Sequence, residues 1–532
     1  MEYQQKFEPL IFGPNGETYD PELLTLENYK NFDSYIKNGI AYGYYNQKEV
    51  IFAIEGTLPT QRSKETGHIV LSSSKRVFYS ILETKFAKYA SFLAKHKRRI
   101  YYPKSSGHIF KQIFPRLKII SLFLLTILTM SAFGILYIAL NLMQLLQVVF
   151  KILIFRESAS ADLWGQKSHK VNYDLLPKYS ILVPLYREAG KVAKIVRALN
   201  NINYPKDKLD IKLIVEQDDH QTLKSIRIHH LAEHYHVIKV PPSKPRTKPK
   251  ACNYALNFVT GEYIVIYDAE DTPDSDQLMK AVAKFEELDD TYVCLQASLE
   301  INAKSHDILG QLFKIEYSIW FKFILSGLAL QNLPITLGGS SNHFRVRAMS
   351  ELCGWDPYNV TEDAELGARI YLSGLKVAML NSSTKEEGPI SLISWLNQRT
   401  RWIKGFMITF VSFIGSDKSN LSIRSIFSII LFIGLSTLSF LSLPIIIYGS
   451  LNSKDEVITF FSICNLVLYL SFSWVAAFFA LSLDSKPQNF TSIFIVLIYP
   501  LYFILHTIAA YFALAEMLIS PHKWNKTDHN IL

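Results

Sequence analysis

Apolar residues run down this chain in two periods, one long enough to cross a membrane and one that alternates strands with helices. Residues 119–150 contain no Asp, Glu, Lys or Arg, and a single span needs only about 20 apolar residues. One long tilted helix or a tight hairpin broken at Ser131-Ala-Phe-Gly134 both fit. Basic residues flank the stretch, Arg116 and Lys118 before it and Lys151 and Arg156 after it; the bias of positive charge toward the cytoplasm places both ends on that side and favours the hairpin. Three further blocks, 426–448, 457–483 and 492–519, are each long enough to span. Between these regions, from Lys178, short β-branched runs alternate with helical spacing: Tyr179-Ser-Ile-Leu-Val-Pro184, Lys212-Leu-Ile-Val-Glu216, Tyr263-Ile-Val-Ile-Tyr267 and Val293-Cys-Leu-Gln-Ala-Ser298. That alternation predicts a sheet of parallel strands with crossover helices.

The expected organisation has six regions: a polar N-terminal segment (1–30), a small soluble regulatory or docking domain (31–115), a transmembrane segment (116–156), an α/β domain (157–410), a transmembrane region of about three spans (411–520) and a tail (521–532). No charged segment followed by an apolar one opens the chain, so no cleaved secretion signal is expected. In 31–115, Glu49-Val-Ile-Phe-Ala-Ile54 reads as a strand and Ser74 to Lys95 as a helix behind a Ser-rich start. The run from His306 to Ala329 is amphipathic and suits either a helix at the membrane interface or one packed in the core.

A content of 49% hydrophobic residues, 13% of the chain being aromatic, is high for a soluble enzyme and agrees with a membrane protein. The net charge of +9 comes without any nucleic-acid motif, so it fits segments held against an anionic leaflet better than it fits nucleic acid. Four cysteines lacking CxxC spacing indicate neither a disulfide framework nor a zinc site. His220, His229, His230, His234 and His236 read as polar helix and loop residues.

The candidate chemistry lies at strand ends and helix starts. Tyr267-Asp268-Ala269-Glu270-Asp271 places carboxylates at the C-terminal edge of a strand, where open α/β sheets bind ligands. Such a cluster can hold a hard divalent cation that bridges diphosphate oxygens. Thr361-Glu362-Asp363 opens a helix, where carboxylates serve as caps as readily as they serve catalysis. Gln398, Arg401 and Trp402, spaced i, i+3, i+4, share one helix face.

These motifs, in this order and beside membrane spans, resemble the membrane-integrated family 2 glycosyltransferases of GT-A fold, the group of cellulose, chitin, hyaluronan and poly-N-acetylglucosamine synthases. The resemblance covers roughly 178–529. It implies an α/β, Rossmann-like GT-A domain embedded between transmembrane helices, with a small α/β domain before it. It implies donor contacts from Tyr186, Glu188, Asp218 or Asp219 and Lys250, with Asp268 and Arg401 at the diphosphate. A Mg²⁺ or Mn²⁺ ion would sit on Asp268 and Glu270, the latter replacing the family's Asp, with Asp271 as the alternative ligand. Asp363 would be the general base, and Glu362, Gln398 and Trp402 would face the acceptor or product. The carboxylate at the end of the second strand equally fits a helix N-cap. The implied activity is inverting transfer from a UDP-sugar to a growing β-linked glycan acceptor at the bilayer, in a bacterial inner membrane with the catalytic domain cytoplasmic. A non-processive transferase adding one sugar to a lipid carrier is the alternative within the enzymes, and a non-catalytic membrane scaffold or sensor the alternative outside them. The N-terminal domain resembles that of type II secretion ATPases, which implies a cyclic dinucleotide or accessory export subunits as partners. The tail, Trp524-Asn-Lys526-Thr527-Asp-His529, is similar to the ending of many bacterial relatives.

Overall fold

A computed structural model describes residues 133–160, 175–304, 307–483 and 490–519 continuously, with short pieces between 11 and 95. The tail lies outside the described residues, as does the first arm of the expected hairpin; the second arm is a single helix, Phe133–Ser160.

Six N-terminal strands, β1 (Ile11–Phe12), β2 (Thr18–Tyr19), β3 (Leu24–Thr25), β4 (Ile40–Tyr45), β5 (Lys48–Ile54) and β6 (Ile69–Ser73), form one sheet in the order β2-β1-β6-β5-β4-β3. The strand expected at 49–54 is β5. Three of these strands fall before residue 30, and pairing of β1 with β6 and β3 with β4 carries the sheet across the boundary drawn there.

The second sheet contains β7 (Tyr179–Leu185), β8 (Leu209–Glu216), β9 (Tyr235–Val240), β10 (Tyr263–Ile266), β11 (Thr272–Pro273), β12 (Tyr292–Asn302), β13 (Asn342–Arg345) and β14 (Lys376–Glu387). Their order is β11-β14-β12-β13-β10-β7-β8-β9. Strands β10, β7, β8 and β9 run parallel, β12 runs parallel to β14, and β13 is antiparallel to both its neighbours. The near-continuous apolar runs follow from cover on both faces. Ile181, Val183, Leu185, Ile211, Leu213 and Val215 enter one core, while Leu182, Ile214, Ile264 and Ile266 enter the other. Because β8 precedes β9 on one side of β7 and β10 lies on the other, the sheet reverses direction between β7 and β10. Their carboxyl ends therefore flank a crevice, the position at which open α/β sheets bind ligands.

Among the described residues, four helices are long and apolar enough to cross a membrane: Gly134–Ser160, Ile423–Asn452, Glu456–Ser482 and Ser492–Ile519. Two are irregular. A π-helical turn, Ile430–Gly434, interrupts the second before Pro444, and a 3-10 turn, Tyr499–Leu501, divides the fourth. The amphipathic run becomes Ile308–Ser318 followed by a π-helical turn, Ile319–Leu325. Phe313, Phe321, Phe323 and Ile324 bury into the main core, and Phe155 of the first span stacks on Phe323 at 4.5 Å. Core packing thus takes most of its apolar face.

Candidate functional site

The loop after β7 is held open by its neighbour. Asp219 caps the following helix through the Thr222 amide, and its second oxygen accepts the Arg187 amide at 2.6 Å. Arg187 itself adopts a left-handed conformation, φ 56°, which costs a non-glycine residue and needs such support. Tyr186 and Glu188 thereby line the crevice. Asp219 is a cap and positioning residue, as the N-cap alternative expected. Asp218 points to the rim and pairs with Arg246 at 2.6 Å; Arg246, Glu216 and Lys248 line the crevice from that side.

At the end of β10 the acidic loop closes on itself. The Asp268 amide donates to Asp271 Oδ2 (2.8 Å), and Asp271 is fully buried beneath it. Asp271 therefore shapes the loop, lying under it where the expected ligand alternative had it facing the crevice; burial and nearby Glu386 push its pKa well above the ordinary carboxylate range. Asp268 and Glu270 face the crevice. Lys191 Nζ donates to Glu270 at 3.0 Å, and Lys248 Nζ donates both to Asp268 Oδ1 at 2.5 Å and to the Gly339 carbonyl at 2.7 Å.

Lys250, expected at the diphosphate, is buried completely and bonded to Glu216 at 2.6 Å. The helix Lys248–Ala255 explains the exchange: residues two apart on a helix point to opposite sides, so Lys248 reaches the crevice and Lys250 turns under β8. Burial works against the Lys248 charge, but Asp268 and Glu362 hold its ammonium protonated beyond the usual range.

The helix Glu362–Leu372 starts at the opposite wall. Asp363 Oδ1 accepts the Ala364 amide at 2.8 Å, and a methyl group on Gly339 would lie 3.4 Å from Asp363 Oδ2. Since Lys248 holds the Gly339 carbonyl, one short chain of contacts joins Asp268 to Asp363 across the crevice. Glu386, at the end of β14, completes the acidic lining and accepts Ser340 Oγ at 3.1 Å; burial, then Asp268 and Glu270, push it up to about 8. Sequence reasoning missed Lys248 and Glu386. Helical periodicity could have separated Lys248 from Lys250, and the Glu386-Glu387 pair ends a strand just as Asp268 does.

The helix Leu392–Ile414 roofs the site, capped by Ser391. Its anchors are Trp395, fully buried with Nε1 donating to Tyr502 at 2.6 Å, and Arg399, paired with Glu316 at 2.5 Å and lying 4.3 Å over the Trp402 ring. Gln398, Arg401 and Trp402 all line the crevice. Arg401 donates to the Val360 carbonyl at 3.2 Å, while its Nε and the Gln398 Oε1 are buried with no hydrogen-bond partner among the described residues, an expensive state unless a ligand engages them. Gly405 on this helix packs directly on Thr361, where an added methyl would fall 2.2 Å from Oγ1. Gly405→Ala is therefore expected to cost about 1–3 kcal/mol by overpacking and to shift Thr361 away from Asp363; thermal melting together with a rate measurement checks both effects.

A second cavity adjoins the crevice. Leu299, Tyr317, Gly339, Asp363 and Trp402 belong to both. Its remaining wall is mostly aromatic and aliphatic and draws on all four candidate spans, among them Val148, Phe440, Phe472 and Phe503.

Among known proteins, residues 263–517 match the model of "Glycosyl transferase family group 2". The chain is 27% identical over 342 residues, 61% of its length and 79% of the relative's, to "Probable glycosyltransferase YdaM" of Bacillus subtilis (strain 168). It is 28% identical over 238 residues to "Beta-monoglucosyldiacylglycerol synthase" of Nostoc sp. (strain PCC 7120), covering 43% of this chain and 49% of that protein, about half of its length. Among solved structures, the mannosyltransferase PcManGT from Pyrobaculum calidifontis, in complex with GDP-Man and Mn²⁺, matches with a TM-score of 0.47 and 17% identity over 73% of this chain and 99% of that one. The acidic crevice sits at the reversal point of a mixed α/β sheet, and Asp268, Glu270, Asp363, Arg401 and Trp402 all lie inside the segment that matches this glycosyltransferase family.

Proposed function

We propose that this enzyme transfers a sugar from a nucleotide-diphosphate donor to a hydroxyl of a membrane lipid, with inversion at the anomeric carbon. The carrying observation is the place of Asp363 and Trp402, in the wall shared by a polar, charged crevice and an apolar cavity between the candidate spans. A sugar diphosphate has its complement on the polar side, where Lys248, Arg246 and Arg401 supply positive charge. On the other side, aromatic and aliphatic side chains suit acyl chains better than a hydroxyl-rich glycan, which would need many hydrogen-bond partners.

Asp363 acts as general base, taking the proton of the acceptor hydroxyl as that oxygen attacks the sugar C1 from the side opposite the leaving diphosphate. One carboxylate and a direct displacement leave no covalent intermediate, so an α-linked donor gives a β-linked product. Arg401 and Lys248 stabilise the departing diphosphate, and Trp402 offers a flat surface for a sugar ring. No group of three or more His, Cys, Asp or Glu is poised for a metal among the described residues. The donor set nevertheless fits Mg²⁺ or Mn²⁺: Asp268 and Glu270 present hard carboxylate oxygens to the crevice. Bound at Asp268 and Glu270, such an ion would add charge neutralisation at the diphosphate.

Burial and then Asp363 push Glu362 up to about 7, and burial also raises Asp363; the adjacent pair takes up its proton as one system. A base must be unprotonated, and burial raises Asp363 above the ordinary carboxylate range, so transfer is expected to slow as pH falls. A rate flat from roughly pH 5 to 9 would remove Asp363 from that role. The stability effect has the opposite sense: the folded pair binds a proton more tightly than the unfolded one, so its contribution to stability fades as pH rises through about 7.

The deciding experiment supplies the purified protein in lipid with radiolabelled UDP-glucose or UDP-N-acetylglucosamine and Mg²⁺ or Mn²⁺, then partitions the product. Label extracted with lipid as a single-sugar species supports this reading. Label in a long water-soluble glycan supports the processive alternative, which the Gln398, Arg401 and Trp402 face favours.

A further inference from the structure

The helix Phe133–Ser160 carries a line of polar side chains that no catalytic role uses. Asn141, Gln144 and Gln147 are almost completely buried, and Lys151 follows one turn beyond Gln147 on the same face. Asn465 of the third span donates to Gln144 Oε1 at 3.3 Å; among the described residues, Gln144 Nε2 and both polar atoms of Gln147 have no hydrogen-bond partner. Lys151 lines the apolar cavity, and among the described residues its ammonium has neither an ion pair nor a hydrogen bond. The cavity's other internal charges are satisfied. Glu316 is held by Arg399, Tyr502 and His506 at 2.5, 2.9 and 3.1 Å, and Asp363 at the mouth looks toward Lys248 and Arg401.

An ammonium facing an apolar cavity wall is unfavourable without a counter-charge, and ionisable groups among apolar helices either pair or mark a ligand path. We propose that the cavity takes an acidic lipid, its chains against the aromatic wall and its phosphate or carboxylate on Lys151. This inference rests on the lipid-acceptor reading and narrows it: the acceptor carries a negative group separate from the hydroxyl that meets Asp363. A merely snorkelling lysine would instead turn its ammonium out to the interface and show no preference among lipids.

The full chain, purified in neutral detergent and placed in phosphatidylcholine nanodiscs, is offered phosphatidylglycerol or diacylglycerol with matched chains. Retained lipid is read by native mass spectrometry and sugar transfer by label. Wild type is expected to retain phosphatidylglycerol over diacylglycerol by about tenfold or more, the worth of one charge-assisted contact. Lys151→Gln should lose that preference, Lys151→Arg should keep it, and slow UDP release to water should be unchanged in both. Retention of phosphatidylglycerol by Lys151→Gln at the wild-type level overturns the inference, even if lipid glycosylation stands. Loss of retention in that variant, in a protein whose wild type glycosylates neither lipid, supports the anionic site while the acceptor reading fails.

Discussion

Replacing Asp363 with Asn is expected to lower sugar transfer by about 10² to 10⁴ fold, the usual contribution of a positioned base, with donor binding nearly unchanged. The exchange preserves shape and the acceptor for the Ala364 amide, at 2.8 Å from Oδ1, so the helix start should survive. It removes a carboxylate whose second oxygen faces Gly339 in the wall between the two cavities. UDP release in the presence of acceptor, set beside nucleotide binding by calorimetry, checks both halves. If the variant keeps more than about a tenth of wild-type turnover, general-base catalysis by this residue fails.

The second large effect separates two lysines that stand two positions apart. Lys250→Met is expected to destabilise the protein by about 3–5 kcal/mol, because it strands Glu216 as a buried, unpaired carboxylate; Lys250 is fully buried and Glu216 nearly so. Lys248→Met should leave the melting temperature within a few degrees, since Asp268 and Gly339 border open space in the crevice, yet raise the donor KM by about tenfold or more as a charge-assisted phosphate contact is lost. Melting curves and donor titrations of the two variants side by side decide the matter. Unchanged donor affinity in Lys248→Met, with reduced affinity in a stable Lys250→Met, would restore the sequence-based choice.

Asp268, Glu270, Asp363, Arg401 and Trp402 were legible in the sequence because each ends a strand or begins or repeats along a helix, positions whose direction local periodicity fixes. The strands β7, β8 and β10 and the three later spans were legible for the same reason: a run of consecutive apolar residues needs no distant partner to be recognised. Lys248 was not, since choosing between two lysines on one turn depends on which side β8 covers. Asp271 looked like Asp268 in sequence and differs only in lying under the loop instead of on it. Glu386 reaches the site through the pairing of β14 with β12, which sets it opposite Ile301, a residue distant in the chain.

By itself, then, the sequence determined the residue types that meet at the crevice, the α/β alternation and the apolar lengths, all of which are set by spacing along the chain. Tertiary structure alone decided which carboxylates face one another, which lysine meets them, and that Asp363 borders an apolar cavity as well as a charged one. The physical reason is that burial and charge compensation are properties of neighbours in space: a carboxylate is a ligand, a cap or a buried support according to what packs against it.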